Sequence, residues 1–222
     1  MRLPKFIMKN NPVIIFGASG LGRVALDIFN SNKVVTYCFL DENVALHGKE
    51  INDIAVLGKP DDEGILKYIG KKCEAFIASD DNKYKKNLVE MLTTERKVMP
   101  VNAIHAKAIV SELAFLGYGN MIHAGAVVNA NAKIPNHCII SSNVTIDFDV
   151  EMDDYVQIGS GSVLNSGVKV GKNVFIGSGV TIVSGVSIGK NARIGAGSVV
   201  INDVKDGETV FGNPAKAIEK VK

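Results

Sequence analysis

Apolar residues recur along the second half of the chain every six positions. Counting from Ile104, the series Val110, Leu116, Ile122, Val128, Ile134, Ile140, Ile146, Met152, Ile158, Leu164, Val170, Ile176, Ile182, Ile188, Ile194 and Val200 holds one register with no polar residue in it. Four places after each member comes a small or β-branched residue, such as Ala126, Cys138, Val144, Val156, Ser162 and Val174, with Asn120 the awkward exception. A helix needs a period near 3.6 and a strand a period of 2, so a strict six fits neither alone. It fits a coil of three short parallel strands, in which the aliphatic residues fill a prism and each coil rests on the last. Glycines at the corners, in IGSGS, VGKNV, IGSGV, IGKNA and IGAGS, are expected to take positive φ there.

The first hundred residues follow other periods. Pro12 to Phe16 reads as a short buried strand, followed by GASGLG (Gly17 to Gly22) and an amphipathic helix over Leu21 to Asn30. A second strand is expected over Val34 to Leu40, ending at Asp41 and Glu42, then a small hairpin or loop over Ile51 to Leu57. Asp61 and Asp62 are placed to cap a helix through Tyr68, Glu74 to Ser79 reads as a third strand, Asn82 to Leu92 as a helix, and Lys97 to Val101 as a last strand. Alternating strand and helix predicts a small parallel α/β sheet. The fold expected is therefore an α/β N-terminal domain over residues 1–101, followed by a parallel β-helix of hexapeptide repeats over residues 102–222.

Composition narrows the chemistry. The formal charge is +2, from 25 basic and 23 acidic residues, with no basic run interleaved with aromatics, so no nucleic-acid partner is expected. Cys38, Cys73 and Cys138 show no paired spacing, which suits reduced thiols in the cytoplasm. No apolar run is long enough to span a membrane. His105 and His123 lie one coil apart, but Ser141 stands where a third ligand would recur, so no metal site is expected. His137 reads as a solvated turn histidine.

The turn GASGLG, between strand and helix, is the geometry in which backbone N–H groups meet an anion, and Gly17, Ser19 and Gly20 are its candidates for a nucleotide portion of a substrate. Its G-x-x-G-x-G spacing differs from the dinucleotide fingerprint. Ser79 and Asp80 would lie at the same carboxyl edge of the sheet. In the coil, the acidic stretch Asp147 to Asp154 offers carboxylates that would accept a proton or pair with a cationic group.

The sequence resembles the hexapeptide-repeat sugar acyltransferases of the sialic acid O-acetyltransferase type, which include N-acetyltransferases of UDP-linked 4-amino sugars. The likeness runs through VIIFGASGLGRVALDIF, FLDEN, FIASDDNKYKKNLVEML, the hexapeptides, VGKNVFIGSGVTIVSGVSIGKNARIGAGSVV and VFGNPAKAI. The resemblance implies a left-handed coil, a homotrimer with sites between protomers, acetyl-CoA as donor, and a nucleotide-linked sugar as acceptor. It implies that Gly17, Ser19, Gly20, Asp41, Glu42 and Ser79 hold the nucleotide. The CoA arm would run along Gly177, Ser178, Gly195 and Ala196, near the closing motif with Asn213, Pro214 and Lys216. Members of the family carry a general-base histidine between acidic residues and a second histidine nine residues later. Here those places are Phe148, between Asp147 and Asp149, and Gln157. Phenylalanine accepts no proton, which leaves Asp149 and Asp147 as the catalytic candidates and makes a non-catalytic relative the alternative.

Overall fold

A computed structural model describes residues 11–218. The chain packs as two units, the first ending at Ala106 and the second beginning at Lys107.

The first unit is an open sheet with helices. Strands β1 (Val13–Phe16), β2 (Thr36–Leu40), β3 (Glu50–Ile51), β4 (Ile54–Gly58) and β5 (Glu74–Ile77) lie in the order β3-β4-β2-β1-β5. All pairings are parallel except the β3-β4 hairpin. Both faces of β1 are buried, which is why it reads as an unbroken apolar run. Helix α1 (Gly20–Ser31) buries Gly22, Ala25, Leu26, Ile28 and Phe29, one stripe at helical spacing, and Phe29 meets Phe76 of β5 edge to face. Asp62 caps α2 (Glu63–Leu66) by accepting the N–H of Gly64, and that helix stops short of the expected Tyr68. Asp81 caps α3 (Asn82–Thr94) by accepting the N–H groups of Lys83 and Tyr84. The expected strand over Lys97 to Val101 is absent, because Lys97 turns left-handed at φ 55° and Val98 donates its N–H back to Leu92. Only Val101 reaches the sheet, through a single bond to Ala75.

The second unit is a left-handed parallel β-helix. Every aliphatic position of the six-residue register is the second residue of a two-residue strand. Stacked partners are eighteen residues apart, as in Val127 with Thr145, Glu151 with Lys169 and Gln157 with Phe175. The strands form three faces. Face I contains Val127–Val128, Thr145–Ile146 and Val163–Leu164; face II contains Lys133–Ile134, Glu151–Met152 and Lys169–Val170; face III contains Ile139–Ile140, Gln157–Ile158 and Phe175–Ile176. Face III is closed by an antiparallel hairpin, Thr209–Gly212 with Ala215–Ala217. From Ile122 onward the inward aliphatic residues are all buried.

The corners correct one expectation. Positive φ falls on the third residue after each inward aliphatic, regularly from Gly119 to Gly197, and is taken by glycine or by Asn131, His137, Asn143, Asp149, Tyr155, Asn173 and Asn191. In VGKNV and IGKNA the left-handed residue is thus the asparagine. The glycines there, Gly171 and Gly189, serve close packing: a Cβ on Gly171 would lie 2.7 Å from the backbone N of Lys190 in the next coil. Asn120 is fully buried yet fits, because its Oδ1 accepts the N–H of Cys138 at 2.8 Å and its Nδ2 donates to Pro135 at 2.7 Å.

Candidate functional site

At the carboxyl edge of the first sheet, β1 runs into Gly17, whose φ of +104° and position suit only glycine: a Cβ would lie 2.6 Å from the carbonyl of Ala78. A Cβ on Gly22 would collide with the Gly17 carbonyl, so the pair sets how closely α1 approaches the strand. Gly20 has open space around it. Ser19 is the N-cap of α1 but makes no side-chain capping bond, so its exposed hydroxyl is uncommitted to the helix.

Asp41, at the end of β2, joins this turn directly. Its Oδ2 accepts the N–H of Ala18 at 2.7 Å and its Oδ1 the N–H of Asn43 at 2.8 Å. His47 meets the Asp41 carbonyl through Nε2 at 2.8 Å. One donor of the GASGLG turn is therefore already filled by a carboxylate from within the chain. Ser79 follows β5 at the same edge, and its Oγ accepts the N–H of Asp81 at 3.2 Å. Gly17, Ser19, Gly20, Asp41 and Ser79 thus gather at one edge, and Glu42 follows Asp41 there as an exposed side chain. Tyr84 stood outside the sequence reading. Burial, and then the charges of Glu42 and Asp41, push its phenol above its ordinary range. No periodic signal marks it, since it sits in the first turn of α3, on a face chosen by packing.

In the second unit, Asp147, Phe148 and Asp149 form the corner from face I to face II. The Phe148 ring is half exposed. Asp147 Oδ1 accepts both the N–H of Phe148 at 2.8 Å and the side-chain N–H of Asn129, one coil below, at 3.2 Å. Asp149 is left-handed at φ 58° and its Oδ1 accepts from Asn131 at 3.1 Å. Both carboxylates are tied to the preceding coil and retain their second oxygens. Gln157 lies on face III, opposite that corner, because nine residues is half a coil. Within one chain, Phe148 and Gln157 therefore lie on opposite sides of the prism.

Gly177, Ser178, Gly195 and Ala196 lie on the corner from face III to face I, stacked on adjacent coils. A Cβ on Gly177 would come 2.6 Å from the N of Ala196, and one on Gly195 would strike the Phe211 ring. At this corner the coil backbones pack directly on one another, the Phe211 ring packs on Gly195, and the Ser178 and Ala196 side chains are exposed. Asn213 and Pro214, joined by a cis peptide bond, turn the closing hairpin above it, and Lys216 pairs with Phe211 in that hairpin.

His137 departs from expectation. It is buried, at 4% exposure, and stacked on Tyr155 with centroids 5.1 Å apart, while Lys172 Nζ lies 5.8 Å above the Tyr155 ring. Among the described residues no group of three or more His, Cys, Asp or Glu side chains is arranged to hold a metal ion, and no helix is long and apolar enough to cross a membrane.

Residues 12–92 match the family described as the PglD N-terminal domain, and residues 149–184 and 167–202 match the bacterial transferase hexapeptide (six repeats). No curated protein sequence matches the chain. Among solved structures, PerB from Caulobacter crescentus, in complex with CoA and GDP-perosamine, is 29% identical with a TM-score of 0.84, over 94% of this chain and 97% of that one. A histidine-to-asparagine variant of perosamine N-acetyltransferase from the same organism, with the same two ligands, is 28% identical with a TM-score of 0.85, over 94% and 97%. The acetyltransferase domain of PglB from Neisseria gonorrhoeae, in complex with acetyl coenzyme A, is 27% identical with a TM-score of 0.86, over 94% and 100%.

Proposed function

Because the chain belongs to the hexapeptide-repeat sugar acyltransferases that carry a PglD-type N-terminal domain, we propose that it is an acetyl-CoA-dependent acetyltransferase acting on a nucleotide-linked amino sugar. The observation that carries this reading is likeness over 94% of the chain to enzymes whose structures hold CoA with a nucleotide sugar, or acetyl-CoA. A likeness confined to the coil would have indicated only the fold.

The first unit, residues 1–101 in this reading, holds the nucleotide through Gly17, Ser19, Gly20, Asp41, Glu42 and Ser79. With the Ala18 N–H already given to Asp41, the turn presents the remaining helix N-terminal donors to phosphate, while Asp41 and Glu42 face hydroxyl or N–H donors of the nucleoside. The coil, residues 102–222, holds acetyl-CoA along Gly177, Ser178, Gly195 and Ala196, with Asn213, Pro214 and Lys216 at its closing end. Since Phe148 and Gln157 face opposite ways in one chain, a site that uses both positions forms between two copies, which supports a homotrimer. Three buried free cysteines suit a cytoplasmic protein.

In the reaction the neutral acceptor nitrogen attacks the thioester carbonyl, the carbon–sulfur bond breaks, and the nitrogen's surplus proton passes to Asp149, Asp147 or water as the CoA thiolate leaves. General-base assistance contributes roughly 10²- to 10⁴-fold, so Phe148 leaves most of the rate to proximity and orientation. Thiol release from acetyl-CoA tests this, with UDP-, dTDP- and GDP-linked amino sugars as acceptors. Release well above the uncatalysed rate is expected with one of them. Absence of release with every acceptor, together with retained CoA binding, would favour the second reading, a non-catalytic relative, for which the exposed aromatic at the base position is the supporting observation.

A further inference from the structure

Several corners of the coil close directly. Val168 donates its N–H to Asn165 at 3.3 Å, Val186 to Val183 at 3.4 Å, and Ala192 to Gly189 at 3.2 Å. The corner at Gly177 closes differently. There Val180 donates its N–H to Ser162 Oγ at 3.1 Å, and Ser162 donates its hydroxyl to the Gly177 carbonyl at 2.9 Å. One coil later Ser198 donates to the Gly195 carbonyl at 2.7 Å and accepts the N–H of Gly212 at 3.1 Å. Both serines are fully buried, and the equivalent places on the same corner hold Val144 and Val180.

We propose that Ser162 and Ser198 are positioning residues that hold the N–H groups of Ser178 and Ala196 toward the acyl donor; this rests on the acetyl-CoA reading above. A buried hydroxyl is costly unless bonded, so each serine keeps its carbonyl partner turned into the prism. A trans peptide is planar with its C=O and N–H opposed, so the N–H following each held carbonyl turns outward. Gly177 and Gly195 put no side chain over these donors, and no Cβ fits at either place. On the corner from face II to face III, by contrast, side chains of the next coil take the equivalent amides: Tyr118 N–H goes to Asn136 at 2.9 Å and Asn136 N–H to Asp154 at 3.0 Å. The edge at Gly177 and Gly195 therefore offers two outward donors one coil apart, about 4.8 Å. That pitch suits an extended arm bearing amide carbonyls, as in the pantetheine part of CoA.

The test compares CoA binding by calorimetry in the full-length protein, Ser162→Val and Ser162→Thr. Valine is native at the same place in the coils on either side, so Ser162→Val is expected to fold, with an unchanged circular dichroism spectrum. Its CoA affinity is expected to fall roughly five- to tenfold, the loss of one well-placed hydrogen bond, while Ser162→Thr, which keeps the hydroxyl, restores it. Wild-type affinity in Ser162→Val, with only a lower melting temperature, would overturn the positioning role and leave the transferase reading intact. No CoA binding by the wild type would overturn the transferase reading itself, and this inference with it.

Discussion

In the first unit, β1 lies between β2 and β5, and its Ile14 and Phe16 pack with Leu66, Leu88 and Leu92, far away in sequence; in the second, Ile158 meets the same class of environment eighteen residues before and after itself. One interior is assembled from unlike pieces, the other from one piece repeated. The difference sets where a change is felt. In a stacked solenoid each coil is supported by its neighbours alone, so damage stays near its origin along the axis, whereas one face of the first unit's sheet shares a core among β1, β2, β5, α2 and α3.

The largest expected effect follows from that contrast. Ile158→Ala, in a fully packed central coil, is expected to cost about 2–5 kcal/mol of stability. Hydrogen exchange is expected to show lost protection centred on Ile140 and Ile176 while β1 stays protected. Protection falling evenly through both units would break the comparison.

The two kinds of corner glycine sharpen it next. Gly177→Ala puts a Cβ against the backbone of the next coil and is expected to cost about 1–3 kcal/mol by thermal melting. Gly179, at φ +67°, has open space around it, and asparagine already occupies the same place at Asn173 and Asn191. Gly179→Asn is expected to stay within about 0.5 kcal/mol of the wild type.

These glycines also show what a single sequence conceals. The period of six located every coil strand because each strand obeys the same local rule. A glycine's role follows from its place in the repeat, left-handed at the third residue after the aliphatic and close-packed at the first, but the period alone does not say which place meets the coil above. Asn120 looked misplaced for the same reason, since its partners are Cys138 and Pro135. In the first unit, Lys97 to Val101 looked like a strand from its apolar content, but Lys97 and the bond from Val98 to Leu92 carry it off the sheet. At the candidate sites, GASGLG and Asp41 were legible as residues, while the bond between Ala18 and Asp41, the influence of Glu42 and Asp41 on Tyr84, and the bonds of Ser162 and Ser198 exist only in three dimensions.

Alkaline pH separates the units in a third way. Burial, with Cys73 nearby, pushes the Cys38 thiol from an ordinary 9.0 up to about 12, and burial also raises Cys73 and Tyr84. A raised folded value means that the unfolded chain releases each of these protons first, for Cys38 between pH 9 and about 12. Stability supplied by the protonated groups is therefore intact below about pH 9 and declines as pH rises toward 12, by at most about 1.4 kcal/mol per group per pH unit. In the coil, Tyr155 is raised by burial and then by Asp154, while exposed Glu151 is lowered by its bond to Lys133. Melting followed from pH 8 to 11 is expected to show the first unit losing protection before the coil, and the reverse order would contradict the burial argument.

The smallest expected change in stability is also the most informative for function. Asp149 occupies a left-handed corner at φ 58°, where asparagine is at ease, as Asn131, Asn143, Asn173 and Asn191 show. Its Oδ1 accepts a hydrogen bond from Asn131, a role the amide oxygen of asparagine repeats. Asp149→Asn therefore removes a charge and an acceptor of protons while keeping shape, backbone and ladder, and its melting temperature is expected to match the wild type within about two degrees. If the carboxylate takes the acceptor's proton in place of the missing imidazole, kcat falls roughly tenfold with KM for acetyl-CoA unchanged, a loss of about 1.4 kcal/mol from the transition state alone. An unchanged kcat would assign the proton to water and reduce Asp149 to a rung of the Asn131 ladder.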